Sequence, residues 1–225
     1  MKNYGKLIAI LTIWSFLTGC GSTAPINSGT NTAKTTLPEN TNGAANSSNT
    51  TGPNVSVAAK PFSKTLELHG IKFVVESPNS ATGNTVKVMP SGLEVSNDVQ
   101  SKLVNGEVYD AEIGDLNVDQ SPEIYIYTRD NGGNKKAGLI AYSANNKKSL
   151  SDINLPADEP KSKELEGFNG GDEFAVVENS FVRRFPIFDG TSADAKKTGK
   201  TRQIQYKLKQ GEASWQLVVD KVTEF

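Results

Sequence analysis

Oxygen-bearing side chains recur at alternate positions along Asp115-Leu-Asn117-Val-Asp119-Gln-Ser121-Pro-Glu123. Calcium loops use this spacing because a compact turn then aims several oxygens at one point. Asp115, Asn117, Asp119 and Glu123 are therefore candidate metal ligands, and calcium is the candidate ion. Gln120 stands where such a loop places glycine, and Ile126 stands where its twelfth-position acid would be. The other reading is a polar turn whose Asp and Asn side chains bond their own backbone. Carboxylates also pair at Asp110 and Glu112. A glycosidase needs two carboxyls about 5–10 Å apart across a cleft, and nothing in this spacing separates such a pair from solvated turn acids. His69 is the only histidine and Cys20 the only cysteine. An internal disulfide and a Cys/His zinc set are thereby excluded. A Ser–His–Asp mechanism would have to use His69, which sits in a tight-turn sequence with Gly70. Gly132-Gly133 is not followed by Gly-Lys-Ser/Thr, so no nucleotide phosphate loop is present. Arg183 and Arg184, adjacent on a strand, point to opposite faces, so at most one is buried or paired and a surface charge is expected. The expectation is a protein that is not an enzyme and has no resident cofactor other than a candidate calcium.

A second stretch, 122–143, is built to present a loop. It runs Pro-Glu-Ile-Tyr-Ile-Tyr, then Thr-Arg-Asp-Asn-Gly-Gly-Asn-Lys-Lys, then Ala-Gly-Leu-Ile-Ala-Tyr-Ser. Ile and Tyr on both flanks predict strands. Ile124 and Ile126 would face one side, Tyr125 and Tyr127 the other. Residues 129–136 contain no large apolar side chain, so this loop should project into solvent. Gly132 and Gly133 allow positive φ and a tight tip, and Lys135 and Lys136 put two ammonium groups beside it. Asp130, Asn131, Gly132, Gly133, Asn134, Lys135 and Lys136 are the candidate binding loop. A stiff strand pair with a cationic tip suits insertion into a carboxylate-lined cleft; an ordinary solvated hairpin loop has the same spacing.

The elements that must carry these residues follow a leader and a tether. Lys2 and Lys6 precede an apolar run at 7–17, too short for a permanent bilayer span of about 20 residues. The run ends in Leu17-Thr18-Gly19-Cys20, which looks like a bacterial lipoprotein box. That resemblance implies a signal peptide at 1–19 and a mature chain beginning at a diacylated Cys20. Two or three acyl chains anchor stably where one does not. Gly21 rather than Asp after the cysteine resembles the outer-membrane sorting pattern, facing the periplasm. Of the next 40 residues, 21–60, 33 are Gly, Ala, Ser, Thr, Asn or Pro, too few apolar groups to offset chain entropy. Such a linker spans roughly 30–40 Å and holds a module off the membrane. The formal net charge of −1 implies no nucleic-acid affinity, and without Lys2 and Lys6 the balance is 22 basic against 25 acidic.

Residues 61–225 form the folded module, large enough for a real core. Its periodicity is mostly two. Leu66 and Leu68, then His69-Gly70, then Ile71, Phe73 and Val75 read as a two-residue hairpin. Val86 and Val88 lead through Pro90-Ser-Gly92 to Leu93 and Val95, a second hairpin, and Asn105-Gly106 is the strongest short hairpin cue. Phe174 to Glu178 and Phe181 to Phe188 make a further pair, with Pro186 predicting an edge or an end. Ile204, Tyr206 and Leu208 alternate with polar residues and face Trp215, Leu217 and Val219. Trp215 reads as core. Helix signal is thin, a turn or two in 145–153 and 161–167. The fold class is all-β, an antiparallel β-sandwich or barrel of about eight to ten strands with little helix.

From His69 onward the chain resembles the periplasmic inhibitors of i-type (invertebrate) lysozymes. The residues that carry the resemblance are Leu68-His-Gly-Ile-Lys-Phe-Val-Val-Glu-Ser-Pro78, Pro90-Ser-Gly-Leu-Glu94, Asp115-Leu-Asn117 and Pro122-Glu-Ile-Tyr-Ile-Tyr127. Ala141-Tyr-Ser-Ala-Asn145, Asp172-Glu-Phe-Ala-Val-Val-Glu-Asn179, Val182-Arg-Arg-Phe-Pro186, Gln205-Tyr-Lys-Leu208 and Val222-Thr-Glu-Phe225 extend it through the module. The resemblance implies a non-enzymatic β-sandwich, a homodimer, and inhibition by a loop pushed into the lysozyme active-site groove. In that family the loop carries a Ser-Gly-x-x-Tyr type motif. With matching loop lengths the motif's serine falls near Gly133 and its tyrosine near Lys136, and neither residue type is kept, so Lys135 or Lys136 would meet the enzyme's carboxylates as a cation. The alternative is an interaction or adhesion lipoprotein on the same scaffold, calcium-stabilised, with no action on lysozyme.

Overall fold

Alternation of apolar and polar residues produces twelve strands in the residues described by this computed structural model, 60–158 and 162–225. Four form a small antiparallel sheet in chain order: β1 (Phe62–Leu68), β2 (Ile71–Ser77), β3 (Asn84–Ser91) and β4 (Gln100–Val104). The other eight are β5 (Glu107–Gly114), β6 (Glu123–Arg129), β7 (Ala137–Asn145), β8 (Ser149–Asn154), β9 (Glu173–Val177), β10 (Ser180–Phe188), β11 (Lys197–Gln210) and β12 (Trp215–Glu224). They lie in the order β5-β6-β7-β8-β12-β11-β10-β9. Every pairing is antiparallel except β8 with β12, which is parallel and brief. The large sheet curls until its two edges meet, where Glu112 of β5 accepts a hydrogen bond from the Val176 N–H of β9 at 2.7 Å. The all-β expectation holds, with two strands more than its upper bound. Lys163–Leu165 is the one helical piece among the described residues, a single 3-10 turn, and 145–153 is strand and turn instead.

Strand β6 separates two cores. Ile124 and Ile126 join Phe73, Val75, Val86 and Val88 of the small sheet in the first. Tyr125 and Tyr127 enter the second, inside the curled sheet, with Phe174, Phe181, Ile204, Tyr206 and Leu217. Tyr125 stacks on Phe181 at 5.3 Å between centroids, and Phe174 lies 5.2 Å from the same ring. The predicted Ile/Tyr division is therefore the observed one, and both faces are buried. Side-chain amides join the two sheets. Asn79 accepts from the Val108 N–H at 2.8 Å and donates to the Val108 carbonyl at 3.0 Å, filling the place of a missing neighbouring strand.

Two local expectations are corrected and two hold. His69-Gly70 does make the β1–β2 hairpin, with φ of 53 and 82 as a type I′ turn requires. Leu93 and Val95, however, are not in a strand. Leu93 drops into the core while Val95 is exposed, and the partner of β3 is β4, further on. Asn105-Gly106 does not close a hairpin, because β4 and β5 belong to different sheets. Its glycine is needed for another reason: at φ 124 a Cβ there would lie 2.0 Å from the Arg129 carbonyl oxygen. Pro186 lies on β10, an interior strand, but β9 ends at the Glu173–Arg184 pair, so the proline sits where β10 has lost that neighbour.

Phe181→Ala is expected to lower unfolding free energy by about 3–5 kcal/mol in urea melts. Leu103→Ala, at a side chain 79% exposed, should change it by less than about 0.5 kcal/mol.

Candidate functional site: the loop between β6 and β7

The loop begins where the buried run of β6 ends. Asp130 closes it, because its Oδ1 accepts from the N–H of Gly132 at 3.2 Å and of Lys136 at 2.9 Å. The backbone adds Asp130 N–H to the Lys136 carbonyl at 3.0 Å. Residues 131–136 are exposed, as the sequence predicts. The tip is bent differently from expectation. Neither Gly132 nor Gly133 adopts positive φ; Lys135 does, at 45, after a turn in which its N–H donates to the Gly132 carbonyl at 3.1 Å.

The predicted loop residues thus divide by role. Asp130 points back and shapes the loop. Asn131, Gly132, Gly133 and Lys135 make the free surface, and no hydrogen bond or ion pair among the described residues holds the Lys135 ammonium. Lys136 lies over the Phe168 ring at 5.5 Å. Asn134 is tied down: its Nδ2 donates to Asn169 Oδ1 at 2.8 Å and its carbonyl accepts from the Gly171 N–H at 2.8 Å. Gly170, at φ 91, passes so close that a Cβ would lie 2.3 Å from the Asn134 oxygen. Cys20, the expected lipidation site, lies outside the described residues, as do the leader and nearly all of the linker.

The base of the loop rests on buried charge that the sequence reading did not find. Asp172 is 0% exposed; its Oδ1 accepts from the Ala137 N–H and its Oδ2 from Arg183 Nε, each at 2.8 Å. Arg183, 2% exposed, also donates to both oxygens of Asp158, at 2.7 and 3.2 Å, and its guanidinium lies 4.4 Å from the centre of the Phe168 ring. Burial acts to lower the guanidinium's pKa, but Asp158 and Asp172 more than offset that and keep it charged. Arg184 faces the other way and bonds Gln203. The opposite-face expectation holds, while the surface-charge expectation fails for Arg183. The available signal was the run Asn169-Gly-Gly-Asp172, two glycines beside polar residues near a strand start.

The Asp115–Glu123 turn lies at the other end of β6. Oxygens of Asp115, Asp119 and Glu123 lie within 4.8 Å of one another, so these three could hold a cation. Asn117 differs: its Nδ2 donates to Asp119 Oδ2 at 2.7 Å. Backbone amides already engage the acids. Asp115 accepts from the N–H groups of Asp119 and Gln120, Asp119 from Ser121, and Glu123 from Leu116. This is the polar-turn arrangement. Gln120 has φ 66, the left-handed conformation for which such loops use glycine. His69 Nε2 lies 3.3 Å from Asp115 Oδ2, which satisfies the turn histidine. Asp110 binds Lys64, and Glu112 accepts from the Tyr127 hydroxyl and the Val176 N–H, so neither forms a cleft pair.

No family model matches the chain, and no curated protein matches it.

Burial pushes the Glu123 carboxyl up to about 8, and Asp115 and Asp119 add to the rise. The native state then retains a proton that the unfolded chain has lost. Stability should fall as pH rises from about 4.5 to about 8, by on the order of 5 kcal/mol, and Glu123→Gln should remove the slope. Melts across this range in EDTA test it. Repeating them in calcium tells whether the cluster takes a cation, since a bound ion would keep Glu123 ionised and flatten the curve. A second measurement addresses the loop base. Arg183→Ala leaves Asp172 buried without its partner and should cost about 3–5 kcal/mol of stability.

Proposed function

We propose that this chain is an envelope lipoprotein that inhibits lysozyme, the i-type enzyme first, by placing its 130–136 loop in the active-site cleft. The observation that carries the reading is an exposed loop whose Lys135 ammonium has no partner among the described residues, held at both ends by buried structure. A lysozyme cleft holds two carboxyl groups, at least one of them ionised. Lys135 presents an ammonium to them from a turn fixed by Asp130 and braced through Asn134. A loop ordered before binding loses less freedom on binding, which favours affinity. The segments that carry the resemblance contribute side chains to both cores, and by that resemblance the loop would stand at the family's inhibitory position. No bond is made or broken: the enzyme is blocked because its cleft is filled and its charge met. The reading carries with it the acylated Cys20, an outer-membrane location facing the periplasm, and the homodimer that the resemblance implies.

A second reading keeps the scaffold and changes the partner. The convergence of Asp115, Asp119 and Glu123 supports a calcium-stabilised adhesion module. Its discriminating feature is indifference to lysozyme.

The test is titration of the lipid-free chain, starting after Cys20, against i-, c- and g-type lysozymes. Inhibition of the i-type enzyme is expected. Lys135→Ala combined with Lys136→Ala should weaken it roughly tenfold and reduce its dependence on salt. Failure to inhibit any class, or an unchanged inhibition constant in the double variant, overturns the mechanism.

A further inference from the structure

The connection between β10 and β11 repeats the construction of the loop between β6 and β7. Asp189 takes the part of Asp130. Its N–H donates to the Lys196 carbonyl at 3.0 Å, and its Oδ1 accepts from the Lys196 N–H at 2.8 Å. Inside each loop sits a four-residue turn, closed by Lys135 N–H to Gly132 O in one and Ala195 N–H to Ser192 O in the other. Each ends in two lysines, 135–136 and 196–197. Residues 191–194 are exposed, as 131–136 are.

The two loops are joined. Asn169, only 8% exposed, accepts from Asn134 Nδ2 at 2.8 Å and donates to the Ser192 carbonyl at 2.9 Å. One side-chain amide therefore spans the gap between them. Loop tips on a β scaffold are ordinarily independent of one another and mobile. Here a buried polar group, paired at both its oxygen and its nitrogen only when both loops are in place, holds them in one frame. Interface size points the same way. A stable protein complex covers about 800 Å² on each partner, some 20–30 residues. The six exposed residues of the first loop are too few to supply that, and the neighbouring tip is the nearest surface braced in register with it.

We propose that residues 189–197 form a second contact loop for the same lysozyme, lying on the rim of the cleft while 130–136 enters it. The proposal rests on the inhibitory reading above. Thr191 offers a hydroxyl, and Lys196 and Lys197 at the far end of the loop offer cations, which suits a polar, acid-bearing rim. Asn169 is a positioning residue, acting on the enzyme only through the two loops.

The experiment compares inhibition constants and melting temperatures of the lipid-free chain and five variants against an i-type lysozyme. Ala193→Trp puts bulk on the exposed second tip. It should weaken inhibition at least tenfold with the melting temperature unchanged. Lys196→Ala with Lys197→Ala serves the same purpose if the tryptophan lowers stability, and should weaken inhibition several-fold and reduce its salt dependence. Asn169→Ala should weaken inhibition and, combined with Lys135→Ala, lose less than the product of the two single effects. Wild-type inhibition by second-loop variants, alongside a weakened Lys135→Ala, overturns this proposal and leaves the inhibitory reading standing. A wild-type chain that inhibits no lysozyme overturns both.

Discussion

One strand with no free face organises the molecule. Every side chain from Glu123 to Thr128 is buried, and β6 pairs along its whole length with β5 on one side and β7 on the other. It is the common wall of both cores, with isoleucines turned to the small sheet and tyrosines to the curled one. Antiparallel strands usually keep one wet face; this one has none. A one-residue slip would exchange Ile for Tyr across two packed interiors, so its register is fixed by both at once. The loop that follows inherits that rigidity at its first residue, and the acidic turn that precedes it inherits a buried carboxyl group.

Polar side chains make the joints between elements. Asn79 supplies a strand-like partner to Val108, Asn84 donates to the Gly106 carbonyl at 2.8 Å, and Asn169 couples two loops. A carboxamide has a donor and an acceptor on one planar group, so it can satisfy both backbone directions where no strand is present. The Asp172–Arg183–Asp158 cluster does the heavier version of the same work. Buried charge adds little net stability, but it makes wrong arrangements costly, and here it specifies where β7 starts.

Local pattern was legible and long-range pairing was not. The Ile/Tyr division of β6, the His69-Gly70 turn and the alternation of β11 could be read because period and turn chemistry are local properties. Asn105-Gly106 misled because a turn sequence says how the chain bends, not whether the flanking strands then pair. Leu93 has the apolar character of a strand residue but serves as a plug in a loop whose Asn97 side chain bonds both its N–H and its carbonyl. Arg183 could not be placed, since its partners lie 11 and 25 residues away. The loop's exposure followed from its composition, but its brace did not, because Asn169 lies 35 residues beyond Asn134.

The order of strands in the large sheet has a consequence for how the chain acquires its shape. β8 finds its outer neighbour in β12, the last strand, and not in β9, the next along the chain. The curled sheet therefore has a gap at its middle until β12 docks. The β5–β8 meander and the β9–β11 meander can each form early, but their shared aromatic interior closes only when the carboxyl-terminal strand slots between them. Such non-local closure makes for slow folding, and a chain released with its last strand missing would expose two ragged edges to its neighbours.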